Sequence, residues 1–467
     1  MSRAVFAALA FVSAALANPA EWVPARWNST DPKSLELLSD TPVNCLLLSW
    51  KAEQGEALAS FASAASQRGI APLAVIHPGG DPLADARSAI KSKFQGLVLE
   101  GDFADGLAAR VRDSVADSHP VVIELSSRSR MNLAGDAPVV GTYQGVWAGI
   151  QVTPDGAAKA GPSGSAWIDT NSGFLRAARA WGNSTVWIAN LPPEKSVITG
   201  QRYLQAIGDA AMVGARWVVA LDGNFDQRLL RRDPSAIADW KRMSQLLQFY
   251  EDHPQWRAMP PAGKLAIVQD RKDGALLSGG ILDMIAVRHT PVRAIPPQRL
   301  TPEALKGASM AVDVDLDSLN AEQRGILKSF TRAGGTVLTA PAGWKEAAPD
   351  DQNRITLDEK ELKRLDDIWH DMQNMIGRKN LGARLFNVST MLSNLTGSPD
   401  GKQVVVQLVN YSEFPVENVT VHVLGDFKHA RLFTPDGKTR DLEAYKNEEG
   451  TGVDIDNVSV CAALQLE

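Results

Sequence analysis

The sequence predicts an α/β protein: a (β/α)8 TIM barrel, then a small doubly wound α/β domain, then a C-terminal antiparallel β-sandwich. Three observations lead there. Eight short apolar runs recur between residues 44 and 223, each with the length of a strand buried on both faces. Helix-like stretches separate most of them, at a spacing of about 18–30 residues that suits one strand plus one helix. A second, shorter alternation follows, and after it come runs that alternate apolar and polar residues.

Taken in order, residues 1–17 read as a secretory signal. Arg3 gives the positive start, residues 4–12 the apolar core, and Ala15-Leu16-Ala17 the small-x-small cleavage pattern. The core is shorter than the roughly 20 residues a membrane span needs. A secreted or periplasmic protein cleaved near Ala17 is therefore expected. The barrel should occupy 18–258, with strands at 44–50, 71–77, 96–101, 121–126, 139–143, 166–170, 186–190 and 217–222. Eight units close a barrel, and the glycine fingerprint of a dinucleotide-binding sheet is missing, since Trp50-Lys51-Ala52-Glu53 follows the first run. The fifth unit is the exception: 142–164 is rich in Gly and Pro, as a loop roofing the barrel mouth would be.

Residues 234–250 form a closing helix, and three prolines within 253–263 mark a linker. The amphipathic and apolar runs at 264–268, 276–287, 292–295, 308–314, 321–333 and 336–339 predict a doubly wound domain over 259–345, in which Gly334-Gly335 caps the last helix. A charged helix (357–376) with Leu362, Leu365, Ile368, Met372 and Met375 on one face lies in the 346–378 linker. Strands at 404–410, 419–424, 430–434 and 458–466 place the sandwich in 379–467.

Composition excludes several classes. The formal net charge of -6 gives no electrostatic reason to bind nucleic acid. Cys45 and Cys461 are the only cysteines and both lie in apolar runs, so buried free thiols are expected rather than a disulfide framework or thiolate zinc. The seven His are scattered without His-x-His or His-x-x-x-His spacing, so neither a metal centre nor another cofactor is expected. No later stretch is apolar enough to span a membrane.

The domain order resembles that of the three-domain β-galactosidases of the glycoside hydrolase clan with two catalytic glutamates. Gln407-Leu408-Val409-Asn410-Tyr411-Ser412 in the sandwich and Gly334-Gly335-Thr336-Val337 in the middle domain prompt the comparison. The resemblance implies a middle domain like a class I glutamine amidotransferase that mediates trimerisation, hence a homo-oligomer. No Cys exists between Cys45 and Cys461, so glutamine hydrolysis is excluded there. The clan's Asn-Glu pair is also incomplete: Ile123-Glu124-Leu125 has the carboxylate without the Asn, and Glu194 falls past its strand on a loop stiffened by Pro192-Pro193.

Barrel chemistry sits at the C-terminal ends of the strands. Those ends carry Trp50, His77, Glu100 with Asp102, Glu124, Tyr143, Asp169, Asn190 with Glu194, and Asp222. Glu100 and Glu124 end neighbouring strands, so the expectation is a glycosidase pair, one carboxylate as nucleophile and one as acid, with Asp222 in reserve. The plainer accounts are a salt bridge from Glu124 to Arg128 or Arg130, and helix capping by Asp. Trp50 and Trp147 at the rim, with His77, Tyr143, Asp169, Asn190 and Glu194, would hold the carbohydrate. Two functions follow: a metal-independent secreted glycoside hydrolase, or a carbohydrate-binding protein on a barrel that has lost its catalytic pair.

Overall fold

The computed structural model describes residues 18–147, 150–152, 158–160, 170–270, 289–314, 318–339 and 359–467. The expected signal at 1–17 lies outside them. Eight parallel strands form one sheet in the order β1 (Pro24–Arg26), β2 (Cys45–Ser49), β3 (Ala71–Ile76), β4 (Gly96–Glu100), β5 (Val121–Ser126), β6 (Val139–Thr142), β9 (Thr185–Ile188) and β10 (Arg216–Trp217). The hairpin β7 (Ile150–Val152) and β8 (Ala158–Ala160) stands apart from it. A parallel bridge from Ala25 to Val219 joins the first strand to the last, with Arg26 N donating to Val219 O at 2.7 Å. The sheet is therefore a closed barrel, as expected.

Its strand list differs from the expected one at two places. The first stave is Pro24–Arg26, three residues with no apolar run to betray them. The expected strand at 166–170 lies, apart from Thr170, outside the described residues, and β6 pairs directly with β9 (Val139 opposite Thr185, Thr142 opposite Ile188). No stave lies between those two.

Alternation along the strands sorts the side chains. Cys45, Leu47, Leu73, Val75, Val98, Ile123, Leu125, Val139 and Trp187 fill the interior. Leu46, Leu48, Ala74, Ile76, Leu97 and Leu99 face outward, into a core that includes Leu58, Phe61, Ala62 and Ala65 of α1 (Gly55–Gln67). Gly141 makes the interior possible, because a Cβ there would lie 2.3 Å from Leu125 Cδ2 and 3.1 Å from Trp187 O. Helices α2 (Pro82–Lys91), α3 (Leu107–Val115), α4 (Ser172–Trp181) and α5 (Gly200–Met212) follow β3, β4, β8 and β9 in the chain. After β5 there is only a 3-10 turn, Arg128–Arg130, so the outer side of β5 is left half-exposed. α6 (Gly223–Leu230) and α7 (Pro234–Glu251) complete the ring.

The middle domain has four parallel strands, β11 (Leu265–Val268), β12 (Val292–Ile295), β13 (Met310–Asp313) and β14 (Thr336–Thr339), in the doubly wound order β12-β11-β13-β14. The expected helix at 276–287 lies outside the described residues. Asn320 and Gln323 form a capping box at the start of the helix Ala321–Arg332, and Gly334 just past its end adopts φ +95°. The helix Glu359–Ile376 packs on this sheet through Trp369, Met372 and Ile376, while Met375 stays 45% exposed. Of the expected stripe, Met372 is thus buried and Met375 is not, while the side chains of Leu362, Leu365 and Ile368 lie outside the described ones.

The C-terminal part is a two-sheet antiparallel sandwich. One sheet is β15 (Ala383–Phe386), β18 (Val416–Val423), β22 (Gly450–Val458), β21 (Ala444–Asn447); the other is β16 (Met391–Gly397), β17 (Val404–Asn410), β23 (Cys461–Leu466), β19 (Ala430–Phe433), β20 (Thr439–Leu442). Cys45 and Cys461 are buried free thiols, as expected. The second sheet docks on α5, where Gly208 lies so close to Cys461 that a Cβ would be 2.5 Å from its Sγ.

Candidate functional site at the barrel mouth

Even-numbered positions 98 and 100 of β4 point inward, which carries Glu100 to the top of the barrel interior. Its carboxylate receives both arms of Arg26 from β1: Nη1 to Oε2 at 3.0 Å and Nη2 to Oε1 at 2.5 Å. Arg26 Nη2 also donates to Ala189 O at 3.0 Å, so the pair ties β1, β4 and the end of β9 together. Both side chains are about nine-tenths covered. A bidentate pair of this kind holds its partners in one geometry. His77, exposed at the end of β3, donates Nδ1–H to Glu100 O at 3.2 Å.

Two residues on, Asp102 is exposed at the rim. Its Oδ1 accepts the Ser127 amide at 2.9 Å and its Oδ2 the Tyr143 hydroxyl at 3.4 Å. Burial, then the charge and hydrogen bond of Asp102, push the Tyr143 phenol up, and the Glu100 charge adds to the effect. Of the two carboxylates, Asp102 is the one that Tyr143 bonds. The wall that follows is fixed on three sides: Asn190 Nδ2 donates to Gly145 O at 2.7 Å, Trp147 Nε1 to Leu191 O at 2.9 Å, and Arg128 N to Gln144 Oε1 at 2.8 Å.

Glu124 is not brought to Glu100. Ile123 and Leu125 take the interior positions of β5, so Glu124 points out of the barrel, where Arg112 of α3 lies 3.2 Å from its Oε1. It is 37% exposed because no helix covers β5. There it lines a cavity of about 210 Å³ with Asp102, Phe103, Asp105, Ser126 and Arg130. The partner is Arg112, not the Arg128 or Arg130 expected from the sequence. Asp222 is buried and caps α6, accepting the amides of Asn224 at 3.0 Å and Phe225 at 3.1 Å on Oδ1, and the Tyr203 hydroxyl at 2.8 Å on Oδ2.

The rim tryptophans are packing residues. Trp50 meets Phe94 edge to face at 5.8 Å, and Trp147 is wedged against Tyr203 and Trp217 at 5.4 and 4.9 Å. Glu194 is exposed on the β9–α5 loop, and Asp169 lies outside the described residues. Sequence reasoning missed Arg26, the partner that defines the site, because its strand is three residues long.

Searches against family models and against curated sequences give no match. Among solved structures the chain is similar to α-L-fucosidase isoenzyme 2 from Paenibacillus thiaminolyticus, at 10% identity and TM-score 0.64, over 96% of this chain and 99% of that one. The two chains share their fold. The rhamnosidase from Novosphingobium sp. PP1Y is similar at 12% identity and TM-score 0.44, over 91% of this chain and 44% of that one. The first likeness spans barrel, middle domain and sandwich together, so the three-part order is a shared architecture; fold alone does not assign chemistry. Among the described residues no helix is long and apolar enough to cross a membrane.

Proposed function

We propose that this chain is an exported glycoside hydrolase-like protein that takes a carbohydrate into the barrel mouth, with Glu100 as its central carboxylate. The observation that carries the reading is the Arg26–Glu100 pair at the top of the barrel interior, with Asp102 at the rim two residues on, hydrogen-bonded to Tyr143. In glycosidic cleavage, one carboxylate stabilises the oxocarbenium-like transition state and one acid protonates the leaving oxygen. Glu100 suits the first role, because Arg26 occupies one side of each oxygen and leaves lone pairs for a sugar carbon. Asp102, exposed at the rim two residues on, is the carboxyl group placed for the second. Glu124 and Asp222 have structural partners and stay outside this scheme.

A panel of aryl glycosides, fucosides and rhamnosides among them, tests it. Glu100→Gln is expected to cut turnover at least about hundredfold and Asp102→Asn by a similar factor, the scale of acid–base contributions. Glu124→Gln should change it less than about twofold. Full turnover in Glu100→Gln would remove the assignment.

A second reading is favoured by one observation: both Glu100 oxygens are engaged by Arg26. On that reading the barrel binds sugar without cleaving it. Binding measured in parallel on the same panel separates the two, since saturable binding with no hydrolysis supports the second.

A further inference from the structure

Between the barrel and the sandwich runs a chain of buried polar groups that the proposed chemistry does not use. Asp209 on α5 is fully buried. Its Oδ2 accepts Asn171 N at 2.9 Å and Asn171 Nδ2 at 2.7 Å, and its Oδ1 accepts the Tyr411 hydroxyl at 2.6 Å. Asn171, also fully buried, grips the mouth wall with the rest of its amide: Val146 N donates to Oδ1 at 2.8 Å, and Nδ2 donates to Val146 O at 2.9 Å. Arg128 Nη2 donates to the same Oδ1 at 2.6 Å. Val146 lies three residues from Tyr143, in the segment pinned by Asn190 and Arg128.

Tyr411 belongs to the sandwich, in the Asn410-Tyr411-Ser412 turn singled out in the sequence. That turn is a firm mount. Asn410 Nδ2 donates to Phe414 O and Ser459 O, both at 2.8 Å, and Tyr411 N donates to Thr390 O at 2.8 Å. A buried carboxylate needs all of its hydrogen bonds, and a network with one member missing rearranges or opens.

We propose that Tyr411 is a positioning residue: the sandwich sets the 143–147 wall of the barrel mouth through Tyr411, Asp209 and Asn171. The sandwich is then part of the site's framework, although no sandwich residue reaches Glu100. The structural claim stands on geometry; its meaning for a sugar ligand rests on the function proposed above.

Hydrogen–deuterium exchange on the full chain tests it. Tyr411→Phe removes only the hydroxyl and is expected to speed exchange of the Val146 amide about tenfold, the effect of one lost hydrogen bond. Amides of β2–β4 should not follow. Asp209→Asn, equal in shape, should do the same. Glu413→Gln, which loosens the same interface at the Arg202 pair, should leave Val146 protected. Unchanged Val146 exchange in both network variants, or an equal rise over the whole barrel, overturns the proposal. So does failure of both variants to fold, which would make the network a folding element and not a positioning one. Because exchange is read without ligand, a barrel that binds no sugar would refute the proposed function and leave this result intact.

Discussion

At the residue scale, burial decides which ionisable groups are set apart from solvent. His289, at the seam of middle domain and sandwich, donates Nε2–H to Val388 O at 3.2 Å and bonds the Ser393 hydroxyl through Nδ1 at 3.2 Å. Burial pushes its pKa down to about 4, from an ordinary value near 6.5. The unfolded chain therefore takes up this proton first as pH falls. Stability is lost progressively from about pH 6.5 to pH 4, by up to about 3 kcal/mol, and the loss levels off below that. His289→Asn is the informative change, since Asn tolerates the φ of +56° found there. Melting temperature against pH should fall less steeply in this window than in the parent.

The residues also show where legibility stopped. Glu100 was readable, because it ends an apolar run that had to be a strand. Its orientation relative to Glu124 was not. Adjacent strands bring their ends close, but a one-residue difference in register turns a side chain from the inside of a barrel to the outside. Glu100 pairs with Leu125, not with Glu124, and that offset separates the two carboxylates.

At the element scale, long apolar periodic segments were legible and short or turn-rich ones were not. Seven barrel strands and the α1, α5 and α7 helices follow from runs whose period leaves little choice. β1 escaped because three residues carry no period, and its stability comes from neighbours on both sides. β5 looked like its companions, yet the helix expected after it is replaced by one turn, which is why the end of its outer face carries Glu124 and Ser126, while Val122 alone packs on the outer core. The fit of β6 yields a prediction. Gly141→Ala drives a methyl against Leu125 and Trp187, and overpacking of this kind costs about 1–3 kcal/mol. Urea unfolding should show a lower midpoint with an unchanged slope.

At the scale of the whole molecule, barrel and sandwich share a buried polar seam. Arg202 on α5 has no exposed side-chain surface and donates to Tyr411 O at 3.0 Å and to Glu413 at 2.5 Å; Gln205 donates to Asn410 O at 3.1 Å; Arg176 donates to Asn394 at 2.6 Å. Removing the sandwich would leave those charges and amides facing nothing fixed, and uncompensated buried charge is costly. Calorimetry of the full chain should therefore show barrel and sandwich melting in one transition. A chain ending at residue 378 is expected to lose cooperative unfolding of the barrel. Separate melting of two independent units would contradict this.

By itself the sequence determined the order of the three parts, the apolar staves of the barrel and the buried state of both cysteines. Each is written in local composition and period, which act within a few residues. The tertiary structure decided the rest: that Pro24–Arg26 closes the barrel, that Arg26 meets Glu100 while Glu124 turns away to Arg112, and that Tyr411 reaches Asp209 across the chain. Those depend on strand register and on contacts between residues 74 or 202 positions apart, which no local pattern encodes.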